Sequence, residues 1–264
     1  MGDAGTISPD VIAHRCRGYG APDQSPQAIA ATLRNGAHVH LAAYLSTDGK
    51  WVVPRLSGLS DERAARRAHT TTAARLDALP LEHALALVAA HAPNGPRQML
   101  YLEAKDTGNE RALVAALTRL DMLDRTVLLA WEPEVLRRAH GLAPSLFLGL
   151  AFVPLGHAVA RSRAVTHREY PRRKVRLAFD PAQSFDALPG IGKTPVRTLA
   201  DVSSPLSCVC IPAVLCRSRT IAAARSRGAR VVAYGVYNNL LLRVLRRRGV
   251  DAILTNHALT LTGG

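Results

Sequence analysis

Residues 11–36 read VIAHRCRGYGAPDQSPQAIAATLRNG, and the order of events within them decides the fold. Val11-Ile12-Ala13 is a short apolar run that delivers His14-Arg15 at its end. Gly18, Gly20 and Pro22 then mark a loop. Ser25 or Pro26 opens an amphipathic segment with Ile29 and Leu33 on one face, and Asn35-Gly36 stops it. The reading is strand, loop, helix. A titratable and a cationic side chain at the carboxyl end of a strand stand where α/β barrels keep their chemistry.

Outward from this unit, strand-like and helix-like runs alternate to the end of the chain. The eight strand candidates are Val11–His14, Val39–Ala42, Met99–Glu103, Thr126–Ala130, Ser145–Leu150, Ser207–Ile211, Arg230–Tyr234 and Ala252–Thr255. Most are nearly continuous apolar runs, as strands buried on both faces should be. Eight such strands with helices between them predict a closed (β/α)8 barrel. A length of 264 residues suits one barrel domain spanning 1–264, and an apolar content of 48% is enough for its core.

Between Phe152 and Ser204 the pattern lapses into a stretch rich in Pro, Gly and Arg. It reads as a lid over the barrel mouth, an insertion, or a helix without a clear periodic face. Within it, Leu188–Thr194 reads as a surface turn. The similarity of LPGIGK to a helix-hairpin-helix turn keeps DNA binding open, whereas a phosphate loop would need a glycine at Ala187.

Met1–Asp10 is polar and lacks the apolar core of a signal peptide. The longest apolar stretch, Leu142–Gly156, is interrupted by Pro144 and Pro154 and falls short of the roughly 20 residues a membrane helix needs. These readings predict a cytoplasmic protein without a transmembrane segment, with Cys16, Cys208, Cys210 and Cys216 as reduced buried thiols. Net charge is +14; four of the 34 basic residues are lysines, leaving thirty arginines. Such a surface attracts phosphates, nucleic acid or anionic lipid. Few aromatics interleave the arginines, which limits nucleic-acid binding to non-specific charge.

The residues quoted above resemble the opening of the glycerophosphodiester phosphodiesterase family: a strand ending in HRG, a loop of fixed length, then PENT and a helix ending in GAD. His14-Arg15-Cys16 stands for HRG, Pro22-Asp23-Gln24-Ser25 for PENT and Gly36-Ala37-His38 for GAD, with no gap needed. Further along, Thr47-Asp48-Gly49 and Val52-Val53 are similar to the family's hairpin insertion after the second strand. Leu79–Glu82 resembles PTLEE, Leu102–Lys105 resembles IEIK, and Gly249–Asn256 resembles the closing GVDGIITD. Tyr234 stands where the family has a tryptophan.

The resemblance implies a barrel mouth where a magnesium or calcium ion on carboxylates and two histidines cleave a phosphodiester. His14 and Arg15 match the first catalytic histidine and a phosphate-binding arginine; Glu103 matches a metal-ligand glutamate and Lys105 a phosphate-contacting lysine. The second strand departs from the family's ExD. One register places His40 and Ala42 there, the other Leu41 and Ala43, and neither restores a carboxylate. The HD pair after the hairpin is Arg55-Leu56. An arginine cannot exchange protons near neutral pH, so the second acid–base group is missing.

Two site readings follow. In one, Arg15, Arg55 and Lys105 surround His14 in a cationic pocket that takes a phosphate without metal. In the other, His38 and His40, two apart on a strand, join Glu103 as a set for zinc or iron. The function expected is hydrolysis of glycerophosphodiesters to glycerol 3-phosphate and an alcohol, weakened or altered. The alternatives are a non-catalytic barrel binding a phosphate or phospholipid head group, and a basic nucleic-acid-binding protein.

Overall fold

The alternation of buried side chains along β-strands sorts this chain into two apolar layers. The computed structural model describes residues 9–55, 61–91, 98–152, 202 and 204–262. Its strands are β1 (Asp10–Ala13), β2 (His38–Leu45), β3 (Trp51–Pro54), β4 (Ala78–Pro80), β5 (Leu100–Ala104), β6 (Thr126–Ala130), β7 (Phe147–Ala151), β8 (Cys208–Pro212), β9 (Arg230–Tyr234) and β10 (Ala252–Thr255). Eight of them run parallel in the order β1-β10-β9-β8-β7-β6-β5-β2, and pairing of Ile12 with His38 and Ala13 with Val39 closes the ring. All eight expected strands are present, within one to three residues of their expected ends.

The helices are α1 (Pro26–Arg34), α2 (Asp61–Thr70), α3 (Leu81–Ala89), α4 (Glu110–Arg119), α5 (Pro133–Leu142), α6 (Ser218–Arg225), α7 (Asn239–Arg247) and α8 (Ala258–Thr262). Leu100, Leu102 and Ala104 of β5 point outward into the sheet–helix layer with Leu85, Leu113 and Leu117. Tyr101 points inward, beside Val127, Leu129, Cys208, Cys210 and Leu254. Because the strand period is two, Glu103 and Lys105 continue this inward row towards the carboxyl end. Parallel strands buried on both faces lack polar alternation, so the few polar side chains on the inward rows mark the site.

The expected hairpin after the second strand is present. The turn at Thr47-Asp48-Gly49 joins β2 to β3 antiparallel, with Tyr44 opposite Val52, and β4 extends this insertion. The charged Asp61–Arg75 segment is α2 followed by a 3-10 turn, Ala73–Arg75. On its inner face, Ala64 and Ala68 pack on Ala42 and Tyr44. The expected lid and the Leu188–Thr194 turn lie outside the described residues.

Gly149 shows how tightly the barrel interior is filled. A Cβ there would lie 2.4 Å from Leu129 Cδ2 and 2.7 Å from Cys208 Sγ. Gly149→Val is therefore expected to cost about 1–3 kcal/mol through overpacking. The urea midpoint checks this, and an unchanged midpoint would show that the interior can yield.

Candidate active site

The site begins where β1 stops. His14–Cys16 forms a 3-10 turn in which Arg15 and Cys16 adopt φ of 54° and 53°. Left-handed backbone costs a non-glycine residue roughly 1–2 kcal/mol, so other contacts must hold it. Arg15 N–H donates to His40 Nδ1 at 3.3 Å, and Gln24 N–H donates to the Arg15 carbonyl at 2.9 Å.

Gln24 is fully buried. Its amide donates to the Pro54 carbonyl at 2.7 Å and accepts from Ala42 N–H at 2.5 Å, tying the loop to β2 and β3. Ser25 caps α1, its hydroxyl oxygen accepting from Ala28 N–H at 3.2 Å. The Pro22–Ser25 tetrapeptide is thus a clasp that fixes the backbone under His14 and Arg15. Gly18, at φ 103°, lets the loop pass Asn256: a Cβ would lie 3.0 Å from the Asn256 carbonyl oxygen.

Above this clasp, a cavity of about 330 Å³ opens among the carboxyl ends of the strands. Its lining includes His14, Arg15, Arg17, His40, Glu103, Lys105 and Asn256, together with the aromatic Trp131, Tyr234 and Tyr237. Lys105 Nζ is 2.6 Å from Glu103 Oε1 and 4.2 Å from the centre of the Trp131 ring. His40 Nε2 lies 3.3 Å from Glu103 Oε2, though without hydrogen-bond alignment. The His14 and His40 rings are 5.1 Å apart, and His14 Nδ1 is 2.7 Å from Asn256 Oδ1. Arg17 forks onto the Asp23 carboxylate, with its Nε 2.9 and 3.0 Å from the two oxygens.

Burial and charge set the protonation states. Burial chiefly, then His40 and Arg15, hold His14 well below the ordinary histidine value, so it is neutral at pH 7. With Asn256 Oδ1 as acceptor, Nδ1 carries the proton and Nε2 keeps the lone pair of a base. Burial also lowers His40, whose Nδ1 accepts from Arg15 N–H. Burial would raise the Glu103 carboxyl, but Lys105 and His40 outweigh it and hold it far below the usual carboxylate range.

The profile of the Glycerophosphoryl diester phosphodiesterase family matches residues 96–260, more than half of the chain. The chain belongs to this family. The fold is likewise that of solved family members. It is similar to the crystal structure of a glycerophosphodiester phosphodiesterase from Parabacteroides distasonis, with 15% identity, a TM-score of 0.68, and 97% of this chain and 95% of that one covered. Similarity to a phosphodiesterase from Oleispira antarctica, solved with the product sn-glycerol-3-phosphate, is 17% identity at a TM-score of 0.61, covering 97% and 96%. A glycerophosphodiester phosphodiesterase from Agrobacterium tumefaciens gives 16%, 0.58, 97% and 100%. No curated protein sequence matches the chain.

The divalent cation that the glycerophosphodiester phosphodiesterase resemblance implies does not fit these side chains. Glu103 is the one carboxylate among the described residues that line the cavity, and Lys105 and His40 already face its two oxygens. Its neighbour across the β2–β5 ladder is Ala42. Hard cations need several oxygen ligands, and this pocket offers one carboxylate neutralised by an ammonium.

The zinc or iron set of His38, His40 and Glu103 is corrected. His40 and Glu103 meet, but His38 lies nearer the amino end of β2, where its Nδ1 accepts from Met99 N–H at 3.0 Å and its Nε2 is 3.7 Å from Asp10. Two residues along a strand separate the histidines by about 6.6 Å. Among the described residues no group of three His, Cys, Asp or Glu is placed to hold a metal.

Arg55 is also corrected. It does not line the cavity; it lies at the end of the hairpin in an exposed pair with Asp77. Its backbone N–H donates to the Asp77 carbonyl at 3.1 Å, so backbone and side chain both pair with Asp77. Arg55→Ala is expected to change stability by no more than about 1 kcal/mol, the scale of exposed ion pairs, and to leave cavity ligand binding unchanged. A thermal melt and a phosphate titration test both halves.

Sequence reasoning missed Arg17, Trp131, Tyr237 and Asn256 as lining groups. Asn256 carried a legible signal, since it directly follows the last strand at the carboxyl-end rim. Trp131 carried the same signal, directly after β6, whereas Tyr237, three residues past β9, carried none.

Proposed function

We propose that this chain binds a glycerophosphodiester, and the glycerol 3-phosphate it yields, through cationic side chains instead of a divalent cation, and that hydrolysis is correspondingly slow. The observation that carries this reading is the Lys105–Glu103 contact of 2.6 Å. It puts an ammonium beside the carboxylate that would otherwise bind metal. Arg15, Arg17 and Lys105 supply donors for phosphate oxygens, and guanidinium groups pair with such oxygens two at a time. A cavity of about 330 Å³ suits a ligand of glycerol 3-phosphate size. The Oleispira protein's complex with that product supports the same ligand class.

His14 Nε2 supplies the base that takes a proton from the attacking hydroxyl or water. At the sequence position of the family's second histidine stands Arg55, which pairs with Asp77 and cannot protonate the leaving alkoxide. Slow turnover follows from one acid–base group serving where two are needed. The reading takes residues 1–264 as one domain working in the cytoplasm, consistent with four free, buried cysteines.

Calorimetry with glycerol 3-phosphate should show binding that is unchanged by EDTA, and glycerophosphocholine should turn over slowly with or without magnesium or calcium. Robust turnover abolished by a chelator would overturn the reading. Binding with no turnover at all would favour the non-catalytic barrel.

A further inference from the structure

The charged and apolar side chains of the last three strand–helix units are distributed unevenly. Residues 204–262 contain nine arginines and a single carboxylate, Asp251. Among the described residues, six large apolar side chains are exposed. Leu142 and Phe147 flank the amino end of β7. The other four all follow strand carboxyl ends on the cavity side: Val214 after β8, Tyr237 and Leu240 after β9, and Leu259 after β10.

Their exposures are 74%, 65%, 66% and 46%. Since β8, β9 and β10 are adjacent in the barrel, these positions form one arc of the rim. Tyr237 also lines the cavity, so the arc is continuous with its mouth. Helix packing does not explain Leu240, because α7 buries Leu242 and Leu245 on another face. Leu240 shares its exposed face with Arg243, three residues on. Arg217 and Arg219 stand exposed at the start of α6, next to Val214.

Aliphatic and tyrosine side chains flanked by arginines are what interfacial membrane binding uses: apolar groups enter the acyl boundary while cations meet anionic head groups. We infer that this arc docks on an anionic phospholipid surface and presents the cavity mouth to the head-group layer. Nucleic acid would be served by the arginines but gains nothing from Val214 and Leu240 standing in water. The inference stands on the rim alone and does not depend on which ligand the cavity holds.

Co-sedimentation with phosphatidylcholine vesicles, with and without phosphatidylglycerol, tests it. The full chain should partition onto the phosphatidylglycerol vesicles and far less onto phosphatidylcholine alone. Val214→Ser with Leu240→Ser should weaken partitioning by about tenfold or more, since each removes a large apolar group from the interface. Arg217→Glu with Arg219→Glu should abolish the preference for the anionic lipid. The same variants should keep the wild-type circular dichroism spectrum and melting temperature, which shows that they are folded without reference to any cavity ligand. Equal binding of wild type and variants would overturn the inference, as would equal binding to both vesicle types. Retention on duplex DNA that the two serine substitutions weaken would reassign the arc to nucleic acid.

Discussion

Glu103→Ala is expected to destabilise the protein by about 3–5 kcal/mol, the scale for removing one member of a buried ion pair. Glu103 is buried, with Lys105 at 2.6 Å and His40 at 3.3 Å. Without the carboxylate, the buried Lys105 ammonium loses the ion-pair partner that lies 2.6 Å away. A urea titration should show the full loss. In Glu103→Leu with Lys105→Met the charge pair is replaced by apolar volume, and much of the stability should return. Phosphate binding should weaken in this double variant, because the cation is gone. The pH dependence has a definite sign. The folded Glu103 carboxyl is depressed, so its stabilisation is complete above the ordinary value of 4.5 and is lost as pH falls through the folded value. Glu103→Ala should flatten the stability profile in that acid range. An unchanged midpoint in Glu103→Ala would show that the pair contributes nothing net.

His14→Ala is expected to reduce kcat/KM for glycerophosphocholine by about 10²–10⁴-fold, the usual contribution of a positioned general base. Glycerol 3-phosphate affinity should change much less, because the cationic donors remain. The wild-type profile supplies a second check. The folded His14 is depressed well below 6.5 by burial, His40 and Arg15, so the base form persists as pH drops through the ordinary histidine range. Activity should stay flat between about pH 6 and 8 and decline only in more acid solution. Asn256→Ala removes the partner 2.7 Å from Nδ1 and should lower kcat with little change in KM, as a positioning residue would. A His14→Ala protein that turns over at the wild-type rate would remove His14 from the mechanism.

The barrel was legible in the chain because burial on both faces leaves a continuous apolar run, and eight such runs with helical spacing between them admit few other folds. His14, Arg15, Glu103 and Lys105 were legible because a strand's period of two fixes which side chains face inward, and its carboxyl end fixes where they gather. Only the tertiary structure decided what each group touches. His38 and His40 share a face in sequence, yet lie at different depths of the barrel, so one meets Asp10 and the other meets Glu103. Arg55 was two strands and a turn from the site in sequence, and the pairing of β3 with β4 directed it to Asp77. Asn256 became the partner of His14 across 242 residues through closure of β1 against β10. Composition and periodicity depend on neighbours a few residues apart and therefore specify elements and faces. Depth within a ring and contacts across it depend on how all eight strands are staggered, which no local pattern records.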